Sequence, residues 1–131
     1  MDAALGIGIK GYGTVTVDDS LTAQALNSGD LPVFATPAMI ALMEKTAADS
    51  VRAYLSPEST SVGTLVQVEH VSATLTGSVI RCESELIGLD GRKLCFTVAA
   101  YDEAGLIGRG THERFIVDRI KFMEKASMKG R

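Results

Sequence analysis

The chain has 131 residues, of which 46% are hydrophobic and 22% are charged, and its formal net charge is −3. This length suits one domain with a real core and is too short for two, so we expect residues 1–131 to form a single domain. The acidic balance argues against a nucleic-acid partner, because binding phosphates requires a concentrated basic face. Basic residues concentrate only in the C-terminal tail, residues 119–131, which we expect to be solvated or to help hold a phosphorylated ligand.

No apolar run approaches the roughly 20 residues that a membrane helix requires, and the start of the chain lacks the cationic region of a signal peptide. We therefore expect a cytoplasmic protein with no membrane partner. Cys82 and Cys95 fall in a predicted hairpin, whose turn at Asp90-Gly91 would place Cys95 opposite Leu86. Cys82 lies four residues from Leu86, or about 13 Å along the strand. This exceeds the Cα–Cα limit of about 7 Å for a disulfide, so we expect both cysteines to be reduced thiols.

The first half of the chain predicts one strand and one short helix. Lys10 to Val17 is rich in β-forming residues and predicts the strand, although its two glycines weaken the pattern. Ser20 to Leu26 predicts the short helix, and Asn27 to Asp30 is typical of a loop.

The strongest predicted element is a long helix that begins at Thr36-Pro37 and extends to about Leu55. Threonine suits the N-cap and proline suits the first helical position. Apolar residues recur at three- and four-residue intervals from Met39 to Tyr54, which indicates one broad stripe that must be buried. Ser56-Pro57 is expected to end the helix.

Four strands are predicted in the second half, each bounded by a turn signal: Thr64 to Thr76, Ser78 to Gly88, Arg92 to Asp102 and Leu106 to Asp118. Loops this short require antiparallel neighbours. One strand, a long helix and four further strands predict an α+β domain in which an antiparallel sheet of about five strands wraps around the helix. That is the hotdog arrangement. It leaves an outer face and an edge strand open, so we expect a homodimer.

The sequence contains no glycine-rich phosphate loop, no G-x-S-x-G nucleophile elbow, no CxxC pair and no histidine pair at metal-ligand spacing. We therefore expect neither a metal nor a cofactor. Only two histidines are present. His70 shares a strand face with Val66 and Val68, which suits either a structural histidine or a base in an apolar wall. His112 is flanked by charged residues and is expected to be a surface or structural residue.

Glu44 and Thr36 each have a structural and a chemical interpretation. Apolar residues surround Glu44 at helical spacing, so its carboxylate lies at the margin of the buried stripe. Burial there would favour the protonated form and suit acid-base chemistry, whereas a glutamate reaching into water is the plainer alternative. Thr36 is sufficiently explained as an N-cap, yet a hydroxyl beside free helix N–H groups also suits a polarised carbonyl or an oxyanion.

Several segments resemble the fluoroacetyl-CoA thioesterase-like branch of the hotdog superfamily: Val33–Thr36, Leu42–Glu44, Ser61–Thr64 and Gly108–Arg114, together with Met39 and His70. The likeness extends over Leu31 to Val117. It implies a thioesterase that hydrolyses a short acyl-CoA, in which coenzyme A is part of the substrate and not a cofactor.

The resemblance also implies that Thr36, Glu44 and His70 form a catalytic triad, with Gly63 and Arg114 as candidates for substrate contact. Thr36 would be the nucleophile or the hydroxyl that positions the carbonyl, and His70 the base. Glu44 would orient His70 or activate water. A non-catalytic acyl-CoA-binding or sensing module is the alternative, and a hotdog hydratase is disfavoured because no matching Asp/His pair lies near the start of the long helix.

One departure from the branch concerns specificity. Its fluoroacetyl-specific enzyme carries an aromatic lid just before the catalytic threonine, whereas Asn27 to Leu31 contains no aromatic residue. The sequence therefore predicts weak discrimination among small acyl groups.

Overall fold

Five antiparallel strands form a single sheet in the order β1-β3-β4-β5-β2. The computed structural model describes residues 4–130. The predicted α+β arrangement of a five-stranded sheet around one long helix is confirmed. The strands are β1 (Lys10–Thr16), β2 (Ser59–His70), β3 (Val79–Asp90), β4 (Lys93–Asp102) and β5 (Gly105–Asp118). The helices are a 3₁₀ turn (Asp19–Leu21), α1 (Ala23–Leu26), α2 (Thr36–Arg52) and α3 (Arg119–Ser127).

The core lies between α2 and the concave face of the sheet. The buried stripe of α2 packs against alternate inward residues of the strands, including Ile80, Leu86, Phe96 and Ile107. The two glycines of β1 allow this contact, because a Cβ at Gly11 would meet the Thr46 carbonyl at 2.8 Å. The glycines that weaken the strand pattern in the sequence are thus the residues that let the helix approach β1.

The start of α2 differs from the prediction. Ala35 is the N-cap and makes no side-chain cap bond, while Thr36 is the first helical residue. The threonine hydroxyl instead bonds to His70, so the N-cap interpretation of Thr36 is wrong. The helix also ends at Arg52, three residues earlier than expected, and two single turns continue the chain to Leu55.

Strand β2 begins at Ser59 and ends at His70, whereas the sequence predicts a strand from Thr64 to Thr76. Residues after His70 leave the ladder because the amides of Val71 and Ser72 both turn to the Ile107 carbonyl. Only an isolated bridge between Leu75 and Val33 follows.

The β3–β4 hairpin has a different register from the predicted one. Asp90 pairs with Lys93, so the turn residues are Gly91 and Arg92, not Asp90-Gly91. Gly91 has a φ of +60°, which glycine adopts without steric cost. Cys95 consequently lies opposite Gly88, not Leu86. Both thiols are nevertheless free, as expected.

The sheet has two edge strands, β1 and β2, and β2 is 12 residues long. Within residues 4–130, no helix is both long enough and apolar enough to cross a membrane. The basic C-terminal segment forms α3, which is capped by the Asp118 carboxylate and buries none of its residues.

Candidate active site

Thr36 and His70 meet at the start of α2. The Thr36 hydroxyl oxygen lies 2.8 Å from His70 Nδ1, although the residues are 34 apart in sequence. Thr36 is placed there by the first turn of α2, and His70 by the last residue of β2. This hydroxyl–imidazole pair has the geometry that activates a nucleophile or orients a hydroxyl toward a carbonyl.

His70 shares a face of β2 with Val66 and Val68, as the alternation predicts, and the structure shows that this face is the inward one. Phe34 is fully buried and packs edge-on against the ring, with centroids 6.3 Å apart. Burial lowers the pKa of His70 below its ordinary value, and a backbone group of Ser72 only partly opposes this. The ring is therefore neutral at pH 7 and suited to accept a proton. Its buried Nε2 has no hydrogen-bond partner among the described residues.

A cavity of ≈ 280 Å³ opens beside this pair. Its walls come from α1, the segment before α2 and the residues that follow β2, and they include Val33, Phe34 and Val71. Ser28 is its contribution from the segment Asn27 to Leu31, which carries no aromatic side chain. A larger cleft of ≈ 630 Å³ on the exposed sheet face contains none of the predicted site residues.

Glu44 belongs to a second group, farther along α2. Its Oε2 lies 3.5 Å from Arg114 Nη1, and its side chain is 39% exposed. Glu44 therefore lies at the margin of the buried stripe, as its helical position predicts. Gly63 faces the same carboxylate, because a Cβ at that position would overlap Glu44 Oε2. Gly63 thus provides the space into which the Glu44 side chain fits.

Arg114 and His112 complete this second group. Arg114 is buried and donates from Nε to Ser61 Oγ at 2.8 Å and from Nη2 to the Ser61 carbonyl at 2.9 Å. His112 is only 1% exposed and stacks on Phe96, so it is not a surface residue. His112 alternates with Gly108 and Gly110, so the three residues share one face of β5. Met39 of α2 lies close to Gly108 and Val68 of β2 lies close to Gly110, and this pattern of glycines could have predicted that the His112 ring is buried.

The two groups are far apart within one chain. Thr36 and Glu44 are separated by eight residues of helix, or about 12 Å of rise. Gly63 and His70 are separated by seven residues of strand, one of which is the extra residue of a bulge, or about 20 Å. The structure therefore brings Thr36 to His70 and Glu44 to Gly63 and Arg114, but it does not bring the three predicted triad residues together within one chain.

Known proteins match both the sequence and the fold. Residues 17–120 match the family model described as fluoroacetyl-CoA-specific thioesterase. The fluoroacetyl-CoA thioesterase of Streptantibioticus cattleyicolor is 39% identical over 97 residues, which cover 74% of this chain and 70% of that protein.

Two solved structures extend the likeness to most of the chain. The fluoroacetyl-CoA thioesterase FlK superposes with a TM-score of 0.92 at 32% identity, covering 98% of this chain and 100% of its own. A thioesterase-superfamily protein of Thermus thermophilus superposes with a TM-score of 0.86 at 25% identity, and the match covers 93% of this chain and 90% of the Thermus protein. The chain therefore belongs to the fluoroacetyl-CoA thioesterase family of hotdog-fold proteins, and it is a thioester hydrolase that acts on acyl-CoA.

Proposed function

We propose that this protein hydrolyses a short-chain acyl-CoA to the free acid and CoA, with Thr36, His70 and Glu44 as its catalytic residues. The observation that carries the proposal is the 2.8 Å contact between the Thr36 hydroxyl and His70 Nδ1 at the mouth of a small cavity. FlK variants have been crystallised with acetyl-CoA, and with fluoroacetate and CoA. A cavity of ≈ 280 Å³ suits acyl groups of that size.

In the proposed reaction, His70 accepts the Thr36 proton while the threonine oxygen attacks the thioester carbon. The C–S bond then breaks, CoA leaves as the thiol after taking up a proton, and water hydrolyses the acyl-threonine. Pro37 has no N–H and the Met39 N–H donates to the Ala35 carbonyl, so the Thr36 and Ala38 amides would be the first-turn donors that stabilise the oxyanion. The same geometry also suits Thr36 as a hydrogen-bond donor to the carbonyl during direct attack by water. Mass spectrometry of rapidly quenched enzyme separates the two routes, because only the first leaves an acyl group on Thr36.

We further propose that each site is shared between two subunits of a homodimer. Glu44 lies too far from His70 within one chain, and the buried His70 Nε2 lacks a partner among the described residues. Strand β2 is a long edge strand, and its pairing with a second copy about a two-fold axis near its centre would bring the partner's Gly63 and Glu44 beside His70. Glu44 would then orient His70 or activate water across the interface.

The activity is tested with a panel of acyl-CoA thioesters and a thiol-release assay. We expect turnover of short acyl groups, and His70→Ala and Glu44→Gln should each lower kcat/KM by at least about 10²-fold, the usual scale for a positioned acid-base group. Wild-type rates in a folded variant would remove that residue from the mechanism. Tight binding without turnover of any thioester would instead indicate an acyl-CoA-binding module.

Shared sites are tested by mixing two inactive proteins. Thr36→Ala and Glu44→Gln subunits are combined and allowed to exchange, so that some mixed dimers contain one intact site. We expect activity to reappear in the mixture. No recovery despite demonstrated exchange would place all three residues in one chain, and a fully active monomer in solution would refute the shared site.

A further inference from the structure

The buried imidazole of His112 adjoins the Glu44 group and has no role in the reaction proposed above. Its Nδ1 lies 2.8 Å from the Leu65 carbonyl oxygen, and its Nε2 lies 3.2 Å from Arg114 Nη1. A carbonyl only accepts hydrogen bonds and a guanidinium only donates them. Nδ1 therefore carries the ring proton, and Nε2 is unprotonated. The two neighbours together select one neutral tautomer.

This acceptor completes the immobilisation of Arg114. The guanidinium already donates to the Oγ and the carbonyl of Ser61, and its Nη1 donates to His112 Nε2. The same Nη1 is the atom that lies 3.5 Å from Glu44 Oε2. Because the Glu44 side chain is 39% exposed, its carboxylate would otherwise be free to adopt rotamers that point into solvent.

Protonation of Nε2 would make the contact with Arg114 repulsive. An Nε2–H would point at a guanidinium N–H, and two positive charges would be in contact. Burial is the main cause that lowers the pKa of His112, and the charge of Arg114 lowers it further. The Leu65 carbonyl, Glu44 on α2 and Glu113 on β5 act in the opposite direction without reversing the shift.

We propose that His112 is a positioning residue for thioester hydrolysis: its unprotonated Nε2 fixes Arg114, and Arg114 in turn fixes the Glu44 carboxylate. This proposal rests on the catalytic role proposed above for Glu44. It assigns to His112 an effect on catalysis that a merely structural histidine would not have.

Two substitutions separate the two hydrogen bonds of the ring. In His112→Gln, the amide oxygen can occupy the place of Nε2 and accept from Arg114. In His112→Asn, the shorter amide reaches only the place of Nδ1 and can donate to Leu65. We expect His112→Asn to lower kcat about 10-fold with little change in KM, and His112→Gln to stay within about threefold of wild type. An equal loss in both, or a larger loss in His112→Gln, would overturn the proposal.

A double-mutant cycle tests the route through Glu44. In a Glu44→Gln background, His112→Asn should cause less than about a twofold further loss, because the group that it positions is already gone. A full 10-fold further loss would refute the proposal and leave the proposed function intact. Wild-type activity in Glu44→Gln alone would instead refute the catalytic role of Glu44, and this proposal with it.

The tautomer is measured on the unmodified protein, so the test does not depend on the folding of any variant. A long-range ¹H–¹⁵N correlation spectrum of the imidazoles at assay pH reports which nitrogen carries the proton. We expect His112 to be protonated at Nδ1 alone. A ring protonated at Nε2, or at both nitrogens, would contradict the proposed contact with Arg114.

Discussion

A methyl group at Gly63 should disable the enzyme by displacing the Glu44 carboxylate. The added Cβ would overlap Glu44 Oε2 and lie 3.3 Å from His112 Cε1 and 3.4 Å from Arg114 Nη1. The two latter contacts are tight but tolerable, whereas the carboxylate must withdraw by about 1 Å to reach an ordinary C···O separation of about 3.3 Å. The backbone at Gly63 is not among the positive-φ positions, so alanine adds no conformational strain.

A displacement of about 1 Å in a catalytic group costs about 10²-fold in rate, which corresponds to about 2.7 kcal/mol of transition-state stabilisation. We therefore expect Gly63→Ala to lower kcat/KM about 100-fold in the thiol-release assay. Stability should change little, because the half-exposed Glu44 side chain can swing into water. Gly6→Ala is the matched control, since the nearest atom to its Cβ is 3.9 Å away and full activity is expected.

Displacement of the Glu44 carboxylate by the added methyl group is refuted if Gly63→Ala retains wild-type activity while folded. It is also refuted if Gly63→Ala causes a further 100-fold loss in a Glu44→Ala background, where the alanine has no carboxylate to displace. That second result would mean that Gly63 acts on the substrate directly, for example through its backbone N–H. Thermal unfolding of each variant separates these outcomes from a loss of fold.

Activity and stability should also respond to pH, to the loss of the Thr74 hydroxyl and to the size of the acyl group. Because burial lowers the pKa of His70, kcat/KM should fall only below about pH 6.5, where this base becomes protonated. An acidic limb of the pH–kcat/KM profile centred above that pH would contradict the role of His70 as the base. The Thr74 hydroxyl donates to Asp102 at 2.8 Å, and this hydrogen bond is the main cause that lowers the pKa of the Asp102 carboxyl. The stabilisation of the fold by this bond is therefore fully present above about pH 3.9 and is lost as pH falls through the folded-state pKa. Thr74→Val should lower the free energy of unfolding by about 0.5 to 1 kcal/mol at pH 7, after allowance for solvent screening, and by less at pH 2; an equal loss at both would refute this. With no aromatic side chain in Asn27 to Leu31, acetyl-CoA and propionyl-CoA should have kcat/KM values that differ by no more than the one methylene allows, about 1 to 3 kcal/mol, and a preference for fluoroacetyl-CoA over acetyl-CoA by many orders of magnitude would refute it.

The sequence predicts the element order well because local signals mark it. Turn residues bound the last three strands, and the three- and four-residue periodicity of α2 identifies its buried face. The face that His70 shares with Val66 and Val68 is correctly predicted because alternation along a strand is a local property. The hairpin register cannot be predicted locally because Asp90-Gly91 and Gly91-Arg92 are both plausible turns, and the strands pair around the second.

The site is harder to predict because it depends on contacts between distant segments. Nothing near Thr36 in sequence shows that its hydroxyl bonds to a histidine 34 residues away. The charged neighbours of His112 suggest a surface position, but they describe the strand and not the face on which His112 lies. Burial of that ring depends on Phe96 and on the closure of β2, both of which are non-local.

The bulge in β2 decides how the site would respond to a change in the length of that strand. The β2–β5 register shifts between Gly63 and Leu65, so that Gly63 pairs with Arg114 and Val66 pairs with His112. One extra residue therefore lets both Gly63 and His70 face α2, although they are an odd number of positions apart. Deletion of Thr64 would leave Gly63 and His70 six positions apart, so a regular strand would still present both to α2, whereas insertion of one more residue would leave them eight apart and a single bulge would then turn one of them to the opposite face. For an engineer or an evolving lineage, β2 should therefore tolerate the loss of its extra residue better than the gain of another.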